Sequence, residues 1–322
     1  MKPLISIIIP MRNSKDTLYD CLNAIKQSTF NNYEIIVVDD HSKDQSKEIA
    51  KKFKCKIVGL RNKTGAAAAR NKGANKAVSD ILLFIDSDVI IGKHDLNNAY
   101  SEFIDNDICA AFATYLKDTP HKNFLSKFYN NYMRFIYCGI HKTKTFLTSF
   151  AMIRRDCFTG FDSGLKNATI EDAAFGQELA KNSIQSKVFE TVKITHKKRI
   201  NLKILTSSFF NKSRDTARLC LALLKNRRRY KDESVRVNHL INMLLIPLYI
   251  FALFIFGAKI IFFILLAFFI SNINFFGYSM KEVGLTFSVL SFIIYIYVSL
   301  VIELGVVYGI AFYFSVPFRG EK

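Results

Sequence analysis

The stretch Ile81-Leu82-Leu83-Phe84-Ile85-Asp86-Ser87-Asp88 constrains this chain more than any other. Five consecutive apolar residues run straight into two carboxylates spaced one apart. A continuous apolar run of that length is the pattern of a strand buried on both faces, as in a parallel sheet. Ligands of open α/β sheets bind beyond the carboxyl ends of the strands, and Asp86 and Asp88 would lie there. Two carboxylates in that position can share a hard divalent cation such as Mg2+ or Mn2+. A strand closed by an Asx-type turn would show the same residues.

The preceding sequence alternates strand and helix patterns. Residues 4–9 form an apolar β-branched run ending at Pro10. Residues 14–28 carry Leu18, Cys21, Leu22 and Ile25 at helical spacing, with Ser14 as the expected N-cap. Residues 33–38 are a second apolar strand, ending in Asp39-Asp40. A polar helix over 43–54, a third strand over 56–60 and an Ala-rich helix over 65–78 lead to the strand at 81–85. This alternation predicts a doubly wound, mostly parallel α/β sheet, with Pro10, Asp40, Asp86 and Asp88 near one crevice. Beyond Asp88, helices are expected at 95–106 and 171–182 and strands at 108–116 and 146–153. The aromatic-rich segment 121–140 reads equally as a core helix or as an amphipathic helix on a membrane. The acids Glu171 and Asp172 would suit the dipole of a first helical turn.

The C-terminal third has a different character. Residues 240–276 hold one charge, Lys259, and residues 283–317 hold one, Glu303. Each run exceeds the roughly 20 residues that span a bilayer. Two long or four short transmembrane helices are expected. The basic segment over 193–231, together with Arg319 and Lys322, places both ends on the cytoplasmic side. Lys+Arg exceed Asp+Glu by 45 − 27 = 18, which calls for an anionic partner. Attachment to membrane spans favours lipid or a phosphate-bearing substrate over nucleic acid. The six cysteines form no CxxC pair, so neither zinc nor a disulfide framework is expected. Residues 4–9 are too short for the apolar core of a signal peptide.

Five pieces stand in a particular order: Ser6-Ile-Ile-Ile-Pro10, Glu34-Ile-Ile-Val-Val-Asp39-Asp40-His-Ser42, Gly65-Ala-Ala-Ala-Ala-Arg70-Asn71-Lys-Gly73, Asp86-Ser87-Asp88, and Thr169-Ile-Glu171-Asp172-Ala-Ala-Phe-Gly176. Together they resemble the family 2 inverting glycosyltransferases of GT-A fold, over roughly residues 1–200. The resemblance implies a catalytic domain over 1–200; charge and hydropathy add a basic juxtamembrane segment over 201–239 and membrane helices over 240–317. It implies that Asp40 accepts a hydrogen bond from the base of a UDP-, GDP- or dTDP-sugar, flanked by Pro10 and Arg12, with Arg70, Asn71, Asp86 and Ser87 also on the nucleotide sugar. Asp88, with Asp86 and His196, would hold Mg2+ or Mn2+ against the diphosphate. Asp172 would be the general base and Glu171 its orienting partner.

The chain lacks tryptophan and so lacks the Gln-x-x-Arg-Trp motif of processive relatives. Transfer of one sugar is therefore expected, at the cytoplasmic face of the inner (plasma) membrane. The expected acceptor is a hydroxyl on a lipid-linked glycan. A polyprenyl phosphate is the alternative acceptor, and a non-catalytic scaffold of a glycan assembly complex the alternative of another class. A dinucleotide-dependent oxidoreductase is excluded, because no Gly-x-Gly-x-x-Gly follows the first strand.

Overall fold

The computed structural model describes residues 2–105, 108–162, 170–225, 251, 254, 255 and 260–313. The alternation forms as its periodicity predicts. Strands β1 (Ile5–Met11), β2 (Tyr33–Asp39), β3 (Lys56–Gly59) and β4 (Ile81–Ile85) alternate with helices α1 (Leu18–Lys26), α2 (Ser46–Lys52) and α3 (Ala66–Ala74). These four strands are parallel, in the spatial order β3-β2-β1-β4. The five residues of β4 are all buried, which is why that strand carries no polar alternation.

Beyond β4 the sheet becomes mixed. A short β5 (Val89–Ile90) and α4 (Asp95–Asp105) precede β6 (Ala110–Tyr115) and α5 (Phe124–Tyr137). Strands β7 (Lys142–Thr143) and β8 (Phe150–Arg154), helix α6 (Glu171–Lys181) and the long strand β9 (Ser186–His196) follow. β8 lies antiparallel between β4 and β6, and β9 runs parallel to β6. β9 then turns back on β5, so that His196 pairs with Val89 beside Asp88. Ser14 does not cap the first helix. That helix starts at Leu18 behind Thr17, and the carbonyl of Ser14 accepts the amides of both, at 3.1 and 2.9 Å.

The C-terminal helices are packed against this domain. They are α7 (Leu202–Lys225), α8 (Ile261–Ser271), α9 (Ile273–Glu282) and α10 (Leu285–Ala311). Phe275, Phe276, Tyr295, Val298 and Val301 belong to the same apolar cluster as the sheet. Helix α5 resolves as a core element: Asn131 donates to Ser279 Oγ at 2.8 Å, Arg134 pairs with Glu282 at 2.7 Å, and Tyr132 and Phe135 meet Phe275. Its aromatic face is covered by α9 and α10, not by lipid.

Among the described residues one helix, α10, is long and apolar enough to cross a membrane. Helix α8, within the first expected apolar run, and α9, which starts in that run and continues past its end, meet at 67° and form no straight span. Residues 240–250 of that run, like 226–231 of the basic segment, lie outside the described residues, and so do Arg319 and Lys322. Of the two or four expected spans, the described residues show one straight helix of spanning length and one bent pair.

Helices α7 and α10 meet through small residues. A Cβ on Gly305 would collide with Ser213 Oγ and sit 2.6 Å from the carbonyl oxygen of Phe210. One on Gly309 would collide with the carbonyl of Arg214 and lie 3.1 Å from Ala217 Cβ. Glycines four apart let two helix backbones approach closely. Gly305→Leu should therefore lower the melting temperature of the purified protein, at a cost of about 1–3 kcal/mol for overpacking. Gly277→Ala, where a Cβ would meet nothing within 4 Å, should leave it unchanged or raise it.

Candidate active site

The carboxyl ends of β1, β2 and β4 meet the start of α6 and the end of β9, and the ionisable groups gather there. Helix α3 lies close on β1 and β2 because residue 73 is a glycine. A Cβ there would collide with Ile8 and sit 3.1 Å from Val38 Cγ2. That close approach sends Arg70 into the interior, where it is only 3% exposed.

Its guanidinium joins two segments distant in sequence. Nη2 donates to Asp86 Oδ1 at 2.7 Å, and Nη1 donates to Glu171 Oε1 at 3.1 Å. The Phe161 ring packs under it, 5.7 Å from Cζ. Burial alone would weaken the proton affinity of Arg70, but Asp86 and Glu171 outweigh it and raise the pKa. Arg70 Nε is buried with no partner. Asn71, one residue on, faces another way: its amide donates to the Phe161 carbonyl at 2.7 Å and accepts the Phe161 amide at 2.8 Å. Both ends of its side chain are spent on that backbone.

Glu171 and Asp172 form the first turn of α6, whose helix dipole favours acids. Helix α6 seats against the backbone of Lys144 and Thr145, where Gly176 leaves no room for a Cβ. The Asp172 carboxylate accepts the amide of Ala173 at 2.7 Å. Desolvation pushes its pKa up to about 6; Lys212 on α7 and Arg70 oppose the rise, and Glu171 reinforces it. A carboxylate with a pKa near 6 is mostly ionised at neutral pH and accepts a proton more readily than a free aspartate, as suits a general base.

Asp88 occupies the other side of the crevice. Its Oδ1 lies 3.5 Å from His196 Nε2, and the Lys197 amide donates to its carbonyl at 2.7 Å. Desolvation raises the pKa of Asp88, with Asp86 adding to the rise and His196 and Lys198 opposing it. Tyr115 packs edge-on against the His196 ring, and both line a small cleft with Thr119, Tyr129, Asn130 and Lys198.

The expected metal trio is not assembled. Among the described residues no three His, Cys, Asp or Glu side chains are grouped to hold a cation, because Asp86 is drawn to Arg70. The Asp88–His196 pair still fits Mg2+ or Mn2+, which are commonly held by one or two carboxylates, with substrate phosphates and waters completing the shell.

The end of the crevice around Asp40, expected to take the nucleotide, is built on backbone. Asp40, 4% exposed, accepts the amides of Thr64 and Gly65 at 2.7 and 3.0 Å and so shapes the entry to α3. Gly65 there has φ +97°, a conformation that favours glycine. A base N–H would have to share those oxygens, using lone pairs that the amides leave open. Pro10 is half-buried in β1 opposite Val38, Arg12 is exposed, and Ser87 Oγ lies 2.8 Å from Ser14 Oγ.

Three contributors are not evident from sequence. Phe161 under Arg70 carries no motif. Lys212 is one of many basic residues on its segment. The strand β9 that delivers His196 hides its alternation, with Val188, Val192 and Ile194 buried, among lysines.

Residues 6–160 match the sequence profile described as glycosyl transferase family 2. The chain is 32% identical over 130 residues to glycosyltransferase GlyG of Streptococcus pneumoniae serotype 4, a match covering 38% of this chain and 43% of that relative. It is 38% identical over 93 residues to glycosyltransferase AglE of Haloferax volcanii, covering 27% and 31%. The chain thus spans less than half the length of these relatives. In fold it resembles the mannosyltransferase PcManGT from Pyrobaculum calidifontis, solved in complex with GDP-Man and Mn2+, with a TM-score of 0.61. That likeness covers 96% of this chain and 88% of the other at 13% identity.

Arg70→Lys should lower turnover about tenfold or more, because one ammonium cannot reproduce a fork between two carboxylates. Arg70→Ala should in addition destabilise the fold, since it leaves Asp86 and Glu171 without their shared cation. Thermal unfolding and single-turnover rates separate the two effects.

Proposed function

Residues 6–160 form a glycosyltransferase family 2 domain, and we propose that the chain uses it to move one sugar from a nucleotide-diphosphate sugar to a hydroxyl of a lipid-linked acceptor at the cytoplasmic face of a membrane. The observation that carries this reading is the Arg70 fork. It ties Asp86, at the end of β4, to Glu171, next to Asp172. The donor side and the acceptor side of the crevice are thereby held at a fixed separation.

Asp88 and His196 would hold Mg2+ or Mn2+ on the diphosphate. The ion, when bound, offsets charge on the departing nucleoside diphosphate. The chain's own residues do the rest. Asp172 takes the proton of the acceptor hydroxyl as that oxygen attacks the anomeric carbon. The bond to the diphosphate breaks on the opposite face, and the carbon inverts. Glu171, held by Arg70, keeps α6 and therefore Asp172 in register with the donor. Positioning of this kind can supply a large share of a rate enhancement.

A base with its pKa near neutrality favours a hydroxyl acceptor over a polyprenyl phosphate, since a phosphate is already ionised. The GDP-Man and Mn2+ bound by the structural relative support a nucleotide sugar with a divalent ion, and leave the base and sugar of this chain's donor to be identified. The apolar surface of α8 and α10 supports a membrane location.

The first test is release of nucleoside diphosphate from UDP-, GDP- and dTDP-sugars by the full chain in lipid with Mg2+ or Mn2+. One donor should be turned over, and Asp88→Ala should abolish that turnover without unfolding the protein. Silence with every donor would favour the scaffold.

The base assignment has its own pH signature. Asp172 works when deprotonated, so turnover should fall as pH drops through about 6. Lys212→Ala removes a nearby positive charge that favours the carboxylate and should move this acid limb to higher pH. Asp172→Asn should cut turnover far more than donor affinity; the reverse pattern would remove Asp172 from the base role.

A further inference from the structure

Helix α10 has the length and composition of a membrane span, yet its neighbours occupy one flank from end to end. At its start Phe287 packs on Phe124 of α5, with ring centroids 5.2 Å apart, and Tyr295 packs on Tyr132, 6.1 Å apart. Further along, α7 takes over. Tyr297 Oη lies 2.6 Å from Thr206 Oγ1, the rings of Tyr308 and Phe210 are 5.7 Å apart, and Gly305 and Gly309 abut the backbone around Phe210 and Arg214. Tyr313 then meets Leu219 and Ala222. The partners advance together along both helices, so α7 and α10 run side by side and parallel.

Helix α7 is not membrane-compatible. It carries Lys203, Lys212, Arg214, Asp215, Arg218 and Lys225, with Arg214 Nε bonded to Asp215 at 2.7 Å beside Gly309. If α10 crossed a bilayer, these groups would be carried to hydrocarbon depth, where charges are costly. Glu303 would be there as well, with one buried carboxylate oxygen unpartnered. Helix α8, with 11 residues, is about 16 Å long, and the chain bends by 67° where it meets α9.

The opposite flank of α10 is a continuous apolar stripe. Leu285, Val289, Ile293, Leu300, Leu304 and Val307 recur at intervals of three, four or seven, and each is at least 40% exposed. Phe262, Phe263 and Ile270 extend it onto α8.

We propose that α8 and α10 lie in the plane of an anionic bilayer surface, with this stripe among the acyl chains and α5 and α7 on the water side, and that α10 does not span. The proposal rests on the membrane location proposed above and specifies how the membrane is met. Helices α8 and α10 are apolar all round, but the packed assembly is two-faced: its outer flank is apolar and its inner flank carries the charged helix α7, as a surface seated at a bilayer interface requires. The net charge of +18 and the basic α7 alongside favour anionic headgroups as the occupant.

The test uses the full chain in sealed vesicles of phosphatidylethanolamine and phosphatidylglycerol. Flotation with the vesicles comes first; a chain that stays at the bottom defeats the membrane reading itself. Val283→Cys and Phe312→Cys then place one thiol at each end of α10. They are treated with a membrane-impermeant maleimide and read by peptide mass spectrometry. The native Cys138, exposed on the catalytic domain, marks its side, and preparations with near-complete Cys138 labelling are used.

Both introduced thiols should label to the extent of Cys138 before detergent is added. One end labelling only after detergent would mean that α10 spans and would overturn the proposal. An Ile293→Cys variant carrying a fluorophore gives an independent reading. Lipids with shallow quenchers should quench it more than lipids with deep ones, and the opposite order would again mean a span. Protection of residue 293 in a lipid-free dimer, with no quenching in vesicles, would make the stripe an interface between copies and reject the bilayer as its occupant.

Discussion

One buried guanidinium holds the crevice together. Arg70 is drawn out of water by the close seating of α3, and a cation in that position is tolerable only because Asp86 and Glu171 share it. The same pairing works in the other direction. Asp86 and Glu171 come from a strand end and a helix start 85 residues apart in sequence (171 − 86), and neither could sit so close to the other without the charge between them. Breaking one partner of such a network is far more damaging than its net contribution would indicate, because it strands the others in a low-dielectric setting. The geometry on which Asp172 depends is thus fixed by electrostatics as much as by packing.

Much of this was legible before any coordinates. The buried strand at 81–85 advertises itself because a strand covered on both faces needs no polar residues, and the α/β alternation before it follows from helical and strand periodicities. The motif order also names residues that lie together: Arg70, Asp86, Asp88, Glu171, Asp172 and His196 converge on one crevice. Their pairings were hidden. Nothing in the sequence says that Arg70 takes Asp86 away from Asp88, or that Asn71 spends both ends of its amide on the backbone of Phe161. Those choices depend on where chains cross, and a pattern along one segment does not encode them.

The C-terminal third shows what composition alone leaves out. An apolar run of 27 residues reads as a span because hydropathy records composition and not neighbours. Leu285–Ala311 has that composition, but Gly305 and Gly309 give it a partner full of charge. Helix α5 was ambiguous for a related reason: six aromatics on one helix suit a lipid surface or a core, and only the bonds from Asn131 and Arg134 to α9 decide for the core. The α/β sheet and the apolar helices therefore share a single interior, and the Asp172 carboxylate sits at their seam, within reach of Lys212 from α7.

Gly73 lies behind the crevice, against Ile8 and Val38. The missing methyl there sets the distance between α3 and the sheet, and that distance sets how far the side chain of Arg70 must extend to meet both carboxylates at once. An added carbon would lift the helix, and a side chain of fixed length could then reach one carboxylate or the other. The tolerance of the crevice is thus calibrated from behind, by the thickness of a layer of packing, and a chain of this design can vary its ligand-facing loops freely only while that thickness stays constant.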